Sequence, residues 1–185
     1  MRSFDPWVGS MYCSLGFNGV RLLILGESSY GAAGSANRSG TIDDVRELGQ
    51  RAPNRFFTKI FKLVSGVNSV SASDRAEFWE HVAFYNFVQS LVGDRSRLRP
   101  TAKMWTDATA PFLDTVAELQ PHLVVALGFK LRDYLPVLPS SVTVCSIQHP
   151  SSFGFTYAPW RASVVAALEV ARAAIGHESA TNVSP

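Results

Sequence analysis

Two polar side chains follow buried-strand patterns near opposite ends of the chain, and their types suit acid–base chemistry. Glu27 comes directly after the apolar run 20–25 and Gly26, and His149 comes just after the apolar run 142–147. A run that is apolar throughout is typical of a parallel strand covered on both faces, and loops at the carboxyl ends of such strands line the ligand crevice. If both runs are strands of one parallel sheet, Glu27 and His149 leave the same edge. A carboxylate and an imidazole in one crevice can move protons or stabilise developing charge.

The elements that must position these two residues are predicted from an alternation of apolar runs and helical patterns. This alternation favours an α/β fold with a parallel sheet. The predicted strands are 20–25, 82–87, 123–127 and 142–147. The predicted helices are 54–65, 73–80, 110–120, 129–135 and 158–175. In this order the loop after each strand lies at one edge of the sheet, so one crevice collects all four loops.

Three further segments have local signals. Segment 31–53 is rich in Gly, Ser, Asn and Asp, which predicts a long irregular loop beside Glu27, and such loops are often functional. Pro159 suits the first turn of the last helix, and Gly176 is predicted to end that helix. We therefore expect a single domain over residues 1–175 and a flexible tail over residues 176–185.

Composition sets limits on the kind of protein. The 185 residues are 46% hydrophobic and 17% charged, which is typical of one packed globular domain. The net charge is only +2, so any nucleic-acid contact must be a local patch. Segment 89–103 offers such a patch, although a solvated loop is an equal alternative for its cations, which are Arg95, Arg97, Arg99 and Lys103.

Several classes of protein lack support in the sequence. Cys13 and Cys145 are far apart, which argues against a disulfide framework or a metal cluster, and no glycine-rich nucleotide motif follows any strand. We expect no metal and no cofactor. No apolar run has the length of a membrane span and the start does not resemble a secretory signal, so a cytoplasmic protein without membrane contact is expected.

Four motifs in order resemble the uracil-DNA glycosylase superfamily. They are Gly-Glu-x-x-Tyr at 26–30, a strand that ends in Asn86, a strand followed by Gly128, and His149-Pro150-Ser151. The resemblance covers residues 20–161. It implies a three-layer α/β/α sandwich with a four-stranded parallel sheet. It also implies a metal-free monofunctional DNA glycosylase, which we expect to be a monomer and to act on DNA that contains a damaged or deaminated base.

The first motif mixes two branches of that superfamily. Tyr30 agrees with the first branch, and Ser28 stands where that branch has its catalytic aspartate. Glu27 agrees with the second branch, but the iron–sulfur cysteines of that branch have no counterpart in this sequence. Base preference therefore does not follow from the resemblance, and uracil is the first expectation.

The resemblance implies a role for each matching position. Glu27 would activate or orient water, Asn86 would read the base edge, and His149 would stabilise negative charge on the departing base. The base pocket would be lined by Gly26, Ser28, Tyr30 and Asn86, with Phe57 or Phe56 as further stacking rings. The DNA backbone would be gripped by Ser151 and Ser152, and the gap in the duplex would be filled by Phe153 or Phe155.

The chemistry is consistent with these roles, because breaking an N-glycosidic bond leaves positive charge on the sugar and negative charge on the base. Other interpretations remain open. The alternatives are a helix or loop cap for Glu27, a bond to its own turn for Asn86, and a structural role for His149. A nucleic-acid-binding protein without activity is the second hypothesis. A Ser28 hydrolase is the third, because Gly26-Glu27-Ser28 resembles a nucleophile elbow.

Overall fold

The computed structural model describes residues 2–32, 35–95 and 98–181. For residues 177–181 it describes the backbone only. It contains a five-stranded mixed sheet with the strand order β1-β3-β2-β4-β5. The strands are β1 (Trp7–Val8), β2 (Leu22–Gly26), β3 (Val82–Asn86), β4 (Leu123–Leu127) and β5 (Thr143–Ile147). The strands β2 to β5 are parallel, and β1 runs antiparallel to β3 at the sheet edge.

The α/β class is confirmed. The expected count of four strands is wrong, because the edge strand β1 is a fifth strand. The four parallel strands lie within two residues of their predicted bounds. A two-residue strand is too short to produce an alternating pattern, so the sequence contains no signal for it. β1 is held by main-chain pairing with β3 and by Trp7, whose Nε1 donates to the carbonyl of Trp79 at 2.8 Å.

Helices cover both faces of the sheet because alternate strand residues point to opposite sides. Leu22 and Ile24 belong to one core cluster, and Leu23 and Leu25 belong to the other. The first face is covered by α2 (Arg55–Ser65), α3 (Ala72–Glu80) and α6 (Tyr157–Thr181), and the second by α4 (Ala102–Leu119) and α5 (Phe129–Arg132). The inner strands are buried on both faces, which explains their uninterrupted apolar sequences.

The predicted irregular segment 31–53 is partly helical. Helix α1 (Gly40–Asp44) continues directly into a π-helix (Val45–Arg51). Thr41 and Val45 are spaced by four and are buried, but Thr41 is polar and the apolar stripe is short. The glycine-rich composition therefore concealed a helical segment that tertiary packing stabilises.

Three helix ends also differ from prediction. α4 begins at Ala102, eight residues before the predicted start, because Thr101 caps it by accepting the N–H of Met104 at 3.3 Å. α5 ends at Arg132 instead of residue 135. α6 passes through Gly176 to Thr181, so the predicted tail is helical up to that residue. A glycine in a helix costs about 1 kcal/mol relative to alanine and does not by itself end a helix.

Candidate active site

The carboxyl edge of the sheet brings three of the predicted site residues together. Gly26 pairs with Asn86 across β2 and β3, and Glu27 follows Gly26 directly. β5 lies two strands away from β2, with β4 between them. Adjacent strands are spaced by about 4.8 Å, so the ends of β2 and β5 are roughly 10 Å apart. Glu27, Asn86 and His149 therefore leave the same edge of one sheet.

Main-chain hydrogen bonds fix the loop that carries Glu27. Four N–H···O bonds of 2.8 to 3.1 Å join residues 26–31 to residues 87–93, which continues the pairing of β2 and β3 beyond the strands. The backbone N–H of Val88, for example, donates to the carbonyl of Glu27 at 2.9 Å. The main chain at Glu27 is consequently held by its neighbour, and the direction of its side chain is constrained.

The carboxylate of Glu27 is buried and is paired with one arginine. Glu27 is 8% exposed, and its two oxygens accept from Nη1 of Arg99 at 3.2 and 3.1 Å. The Arg99 side chain is 74% exposed. The almost buried carboxylate of Glu27 is thus paired with a guanidinium that remains in contact with solvent. The guanidinium supplies the positive partner that a buried carboxylate requires.

The imidazole of His149 is held as a neutral hydrogen-bond donor. Its ring stacks on Phe56 with centroids 5.4 Å apart and planes 20° apart. Nδ1 accepts the backbone N–H of Ser151 at 3.1 Å, which assigns the proton of the neutral ring to Nε2. Burial, together with the positive charges of Arg99 and Lys59, lowers the pKa of His149 to about 4. The ring is therefore uncharged at neutral pH and has one N–H to donate.

Arg99 connects the two predicted catalytic groups. Its guanidinium contacts the carboxylate of Glu27, and the same charge lowers the pKa of His149. A charge shifts the pKa of another group appreciably only when the two are near each other. Glu27 and His149 therefore leave the same carboxyl edge of the sheet, one as an anion paired with Arg99 and the other as a neutral hydrogen-bond donor.

The side chain of Asn86 lies directly against the end of β2. It is 7% exposed, and its Nδ2 donates to Oγ of Ser29 at 2.8 Å. A Cβ atom on Gly26 would lie 2.3 Å from Oδ1 of Asn86, so only glycine fits opposite this amide. Asn86 therefore bonds a side chain of the neighbouring loop, not its own turn.

The other predicted base-pocket residues differ in their surroundings. Phe57 is a core residue that packs against Trp79 and Phe84, so its assignment to the base pocket is wrong. Adjacent helical residues point about 100° apart, and on α2 it is Phe56 that faces the site. Tyr30 lies at the rim and is largely exposed, with its hydroxyl 3.5 Å from the carbonyl of Leu98.

Ser28 is half-buried, but it does not occupy a nucleophile elbow. Such an elbow needs a sharp turn from a strand into a helix. Across the described part of segment 27–39, the backbone after β2 has no helix, and α1 begins only at Gly40. The structural requirement for a Ser28 hydrolase is therefore missing.

The predicted DNA-contacting loop after β5 is exposed at its tip. Ser151 and Ser152 are exposed, and the ring of Phe153 projects fully into solvent. Phe155 is packed edge-on against Tyr157 with the Nζ of Lys59 over its ring, so it is not free to enter a duplex. Of the two predicted wedge residues, only Phe153 has the required exposure.

The predicted cationic patch is weaker than its sequence indicates. Within the described residues each of its cations faces a carboxylate, and Arg97 lies outside the described residues. The pairs are Arg95 with Asp94 at 3.6 Å, Arg99 with Glu27 at 3.1 Å and Lys103 with Asp107 at 2.7 Å. The paired carboxylates offset part of the charge that would otherwise face a phosphate. The pairs of Arg95 and Lys103 are exposed and therefore weak, whereas Glu27, the partner of Arg99, is almost buried.

Sequence reasoning missed Lys59 as a site residue. Its Nζ donates to the carbonyl of Pro150 at 2.6 Å, directly after His149, and its charge helps to keep that imidazole neutral. Lys59 lies three residues after Phe56 on α2, and residues spaced by three share a helical face. That spacing was the available signal, but it has no meaning until α2 is known to border the site.

Comparison with protein families and with curated proteins gives no match for this chain. Across the described residues, no three His, Cys, Asp or Glu side chains group in a way that would hold a metal ion. No helix in the described part of the chain is long and apolar enough to cross a membrane. Any functional assignment therefore depends on the side chains at the carboxyl edge of the sheet, chiefly Glu27, Asn86 and His149.

Proposed function

We propose that this protein is a DNA glycosylase that hydrolyses the N-glycosidic bond of a deaminated base, with uracil as the first expected substrate. The observation that carries the proposal is the common edge of the sheet that Glu27, Asn86 and His149 leave, where the carboxylate of Glu27 is buried and paired with Arg99. This edge offers an anion and a neutral hydrogen-bond donor, which is the polarity that the reaction requires. A role in base excision repair follows from that activity.

The proposed mechanism uses the negative charge of Glu27 and the neutral N–H donor of His149. As the bond between sugar and base breaks, its electron pair leaves with the base and the sugar becomes cationic. The carboxylate of Glu27 stabilises the cation and takes a proton from the water that adds to the sugar carbon. The Nε2–H of His149 donates to the oxygen of the departing base, which bears the negative charge.

The surrounding residues suit an extruded base. Asn86 offers an amide that can donate and accept at once, which a uracil-like edge requires. The ring of Phe56 lies parallel to the imidazole and forms an apolar wall beside it. Phe153 is an exposed ring on the same loop as His149, where it can fill the space that the extruded nucleotide leaves.

The direct test is base release from synthetic DNA. Oligonucleotides that contain uracil, hypoxanthine or xanthine are incubated with excess protein, and abasic sites are then cleaved with alkali. We expect cleavage of the uracil strand by the wild type. Glu27→Gln and His149→Ala should each lower the rate by about a hundredfold or more, the usual contribution of a catalytic group. Glu47→Gln is a matched control, because Glu47 is an exposed carboxylate that also pairs with an arginine, Arg51. No cleavage of any substrate would defeat the proposal.

A second candidate is a nucleic-acid-binding protein without base release. It is favoured because the groups assigned to catalysis and base reading already have hydrogen-bond partners within the protein. Both oxygens of Glu27 accept from Arg99, and the amide of Asn86 donates to Ser29. This candidate predicts salt-sensitive binding to damaged DNA without any abasic product. Equal affinity for DNA and for a neutral polymer would exclude it.

A further inference from the structure

The ion pair between Glu27 and Arg99 joins two groups of very different exposure. The side chain of Glu27 is 9% exposed and that of Arg99 is 74% exposed. Only Nη1 of Arg99 contacts the carboxylate, and no other acceptor in the described part of the chain bonds this guanidinium. The remaining N–H donors of the Arg99 guanidinium are therefore available to solvent.

The position of Arg99 allows its side chain to move while its backbone stays in place. The next residue, Pro100, is buried, and Thr101 caps α4. The carbonyl of the preceding residue, Leu98, lies 3.5 Å from the hydroxyl of Tyr30, which is a long contact. The backbone is thus held on the C-terminal side of Arg99, and its exposed side chain can change partner by rotation.

We propose that Arg99 is a positioning residue that pairs with Glu27 in the free protein and transfers to a phosphate of the bound DNA strand. This inference rests on the proposed function and adds a coupling between substrate binding and the carboxylate. A guanidinium binds phosphate through two parallel hydrogen bonds, and the Arg99 end of the ion pair lies in solvent, where a phosphate can reach it. The buried carboxylate then needs a new donor, and the attacking water meets that need. Glu27 would be available to water only when DNA is bound.

The exchange has a signature in DNA affinity that does not require base release. The probe is a fluorescent single-stranded oligonucleotide with a stable abasic-site analogue, titrated by anisotropy at several salt concentrations. The proteins are the wild type, Glu27→Gln, Arg99→Gln and the double variant. Glu27→Gln should tighten binding about threefold, because binding no longer breaks an ion pair. In the Arg99→Gln background the same change should give almost no gain.

Simple charge repulsion between Glu27 and DNA predicts the opposite result, with a larger affinity gain from Glu27→Gln in the Arg99→Gln background. If Glu27 only repels DNA, Arg99 screens that repulsion, and removing the carboxylate should help more when Arg99 is absent. An equal or larger gain in the Arg99→Gln background would therefore overturn the exchange. So would an equal gain for Glu47→Gln, which removes a carboxylate from another exposed arginine pair. Failure of the wild type to bind the probe would also overturn it.

The salt dependence of affinity gives a second readout. A contact between Arg99 and phosphate contributes about 0.7 to the slope of log affinity against log salt for single strands, so Arg99→Gln should lower the slope by that amount. Arg99→Lys should retain the slope, because it keeps the charge. An unchanged slope in Arg99→Gln would mean that Arg99 stays on Glu27. Glu27→Ala replaces Glu27→Gln if the latter melts early.

The two proposals fail in different ways. Uracil-containing DNA is assayed for base release with the same wild-type preparation. If no base is released but the affinity pattern holds, the glycosylase proposal fails and the exchange stands. If base is released but the affinity pattern is absent, the exchange fails and the glycosylase proposal stands.

Discussion

Replacement of Gly26 by alanine is a sharp test of the packing between β2 and the candidate site. A Cβ atom at this position would lie 2.3 Å from Oδ1 of Asn86 and 3.1 Å from Cζ of Phe84. Phe84 is a core residue that is 2% exposed, and Asn86 is held by its bond to Ser29. Neither side chain can withdraw without a loss, so we expect the amide of Asn86 to be displaced.

The expected cost of Gly26→Ala combines two contributions. Overpacking of a tight core site costs about 1–3 kcal/mol, and loss of the hydrogen bond from Asn86 to Ser29 costs about 1 kcal/mol. For a chain of 185 residues, each kcal/mol lowers the melting temperature by about 2–4 °C. We therefore expect the melting temperature to fall by roughly 5–15 °C. Base release should fall by about a hundredfold, the penalty typical of a catalytic geometry misplaced by about 1 Å.

The assay for Gly26→Ala is calorimetry combined with single-turnover base release well below the melting temperature. Gly176→Ala is the matched control, because a Cβ atom there meets nothing within 4 Å and the residue lies in α6. Alanine at position 176 should stabilise the helix by about 0.5–1 kcal/mol. If Gly26→Ala melted with the wild type and released base at the same rate, the described contact between Gly26 and Asn86 would be incorrect.

Three further predictions concern the residues around His149. The folded-state pKa of His149 is about 4, below its usual value of 6.5, so the unfolded chain binds a proton that the native site excludes. Stability should therefore fall by up to ~3 kcal/mol as the pH drops from about 6.5 to 4, and urea unfolding of His149→Asn should show a smaller fall. Lys59→Met removes one of the charges that depress this pKa, so an NMR titration of the His149 ring should give a higher value; an unchanged value would exclude Lys59 as a cause. Phe153→Ala should change the free energy of unfolding by less than about 0.5 kcal/mol, because the ring is fully exposed. The same substitution should slow base release from duplex DNA more than from single-stranded DNA. An equal decrease on both substrates, relative to the wild type, would exclude Phe153 as a wedge.

The inner parallel strands β2, β3 and β4 were predictable because their residues are buried on both faces. A run such as Leu123–Leu127 has no polar position, and in a chain of alternating strands and helices such a run fits an inner strand of a covered sheet. The π-helix (Val45–Arg51) was not predictable, because its buried positions include Gly49. A Cβ atom there would lie 3.0 Å from Nε1 of Trp79, so the glycine is required by packing and does not mark a loop.

The candidate site was predictable to the extent that it follows from strand ends. Glu27, Asn86 and His149 share an edge because parallel strands end together. The partner of Glu27 was not predictable, since Arg99 is 72 residues away and its neighbours carry similar charges. The choice of Phe56 over Phe57 depends on the rotation of α2 about its axis, which adjacent aromatic residues leave undetermined.

The most direct measurement is a crystal structure of the protein with DNA that contains a non-hydrolysable deoxyuridine analogue. We expect the extruded uracil to lie between Glu27 and His149, with Nε2 of His149 donating to a carbonyl oxygen of the base and Asn86 at the base edge. A uracil bound elsewhere, or packed core that separates Glu27 from His149, would rule out the proposed site.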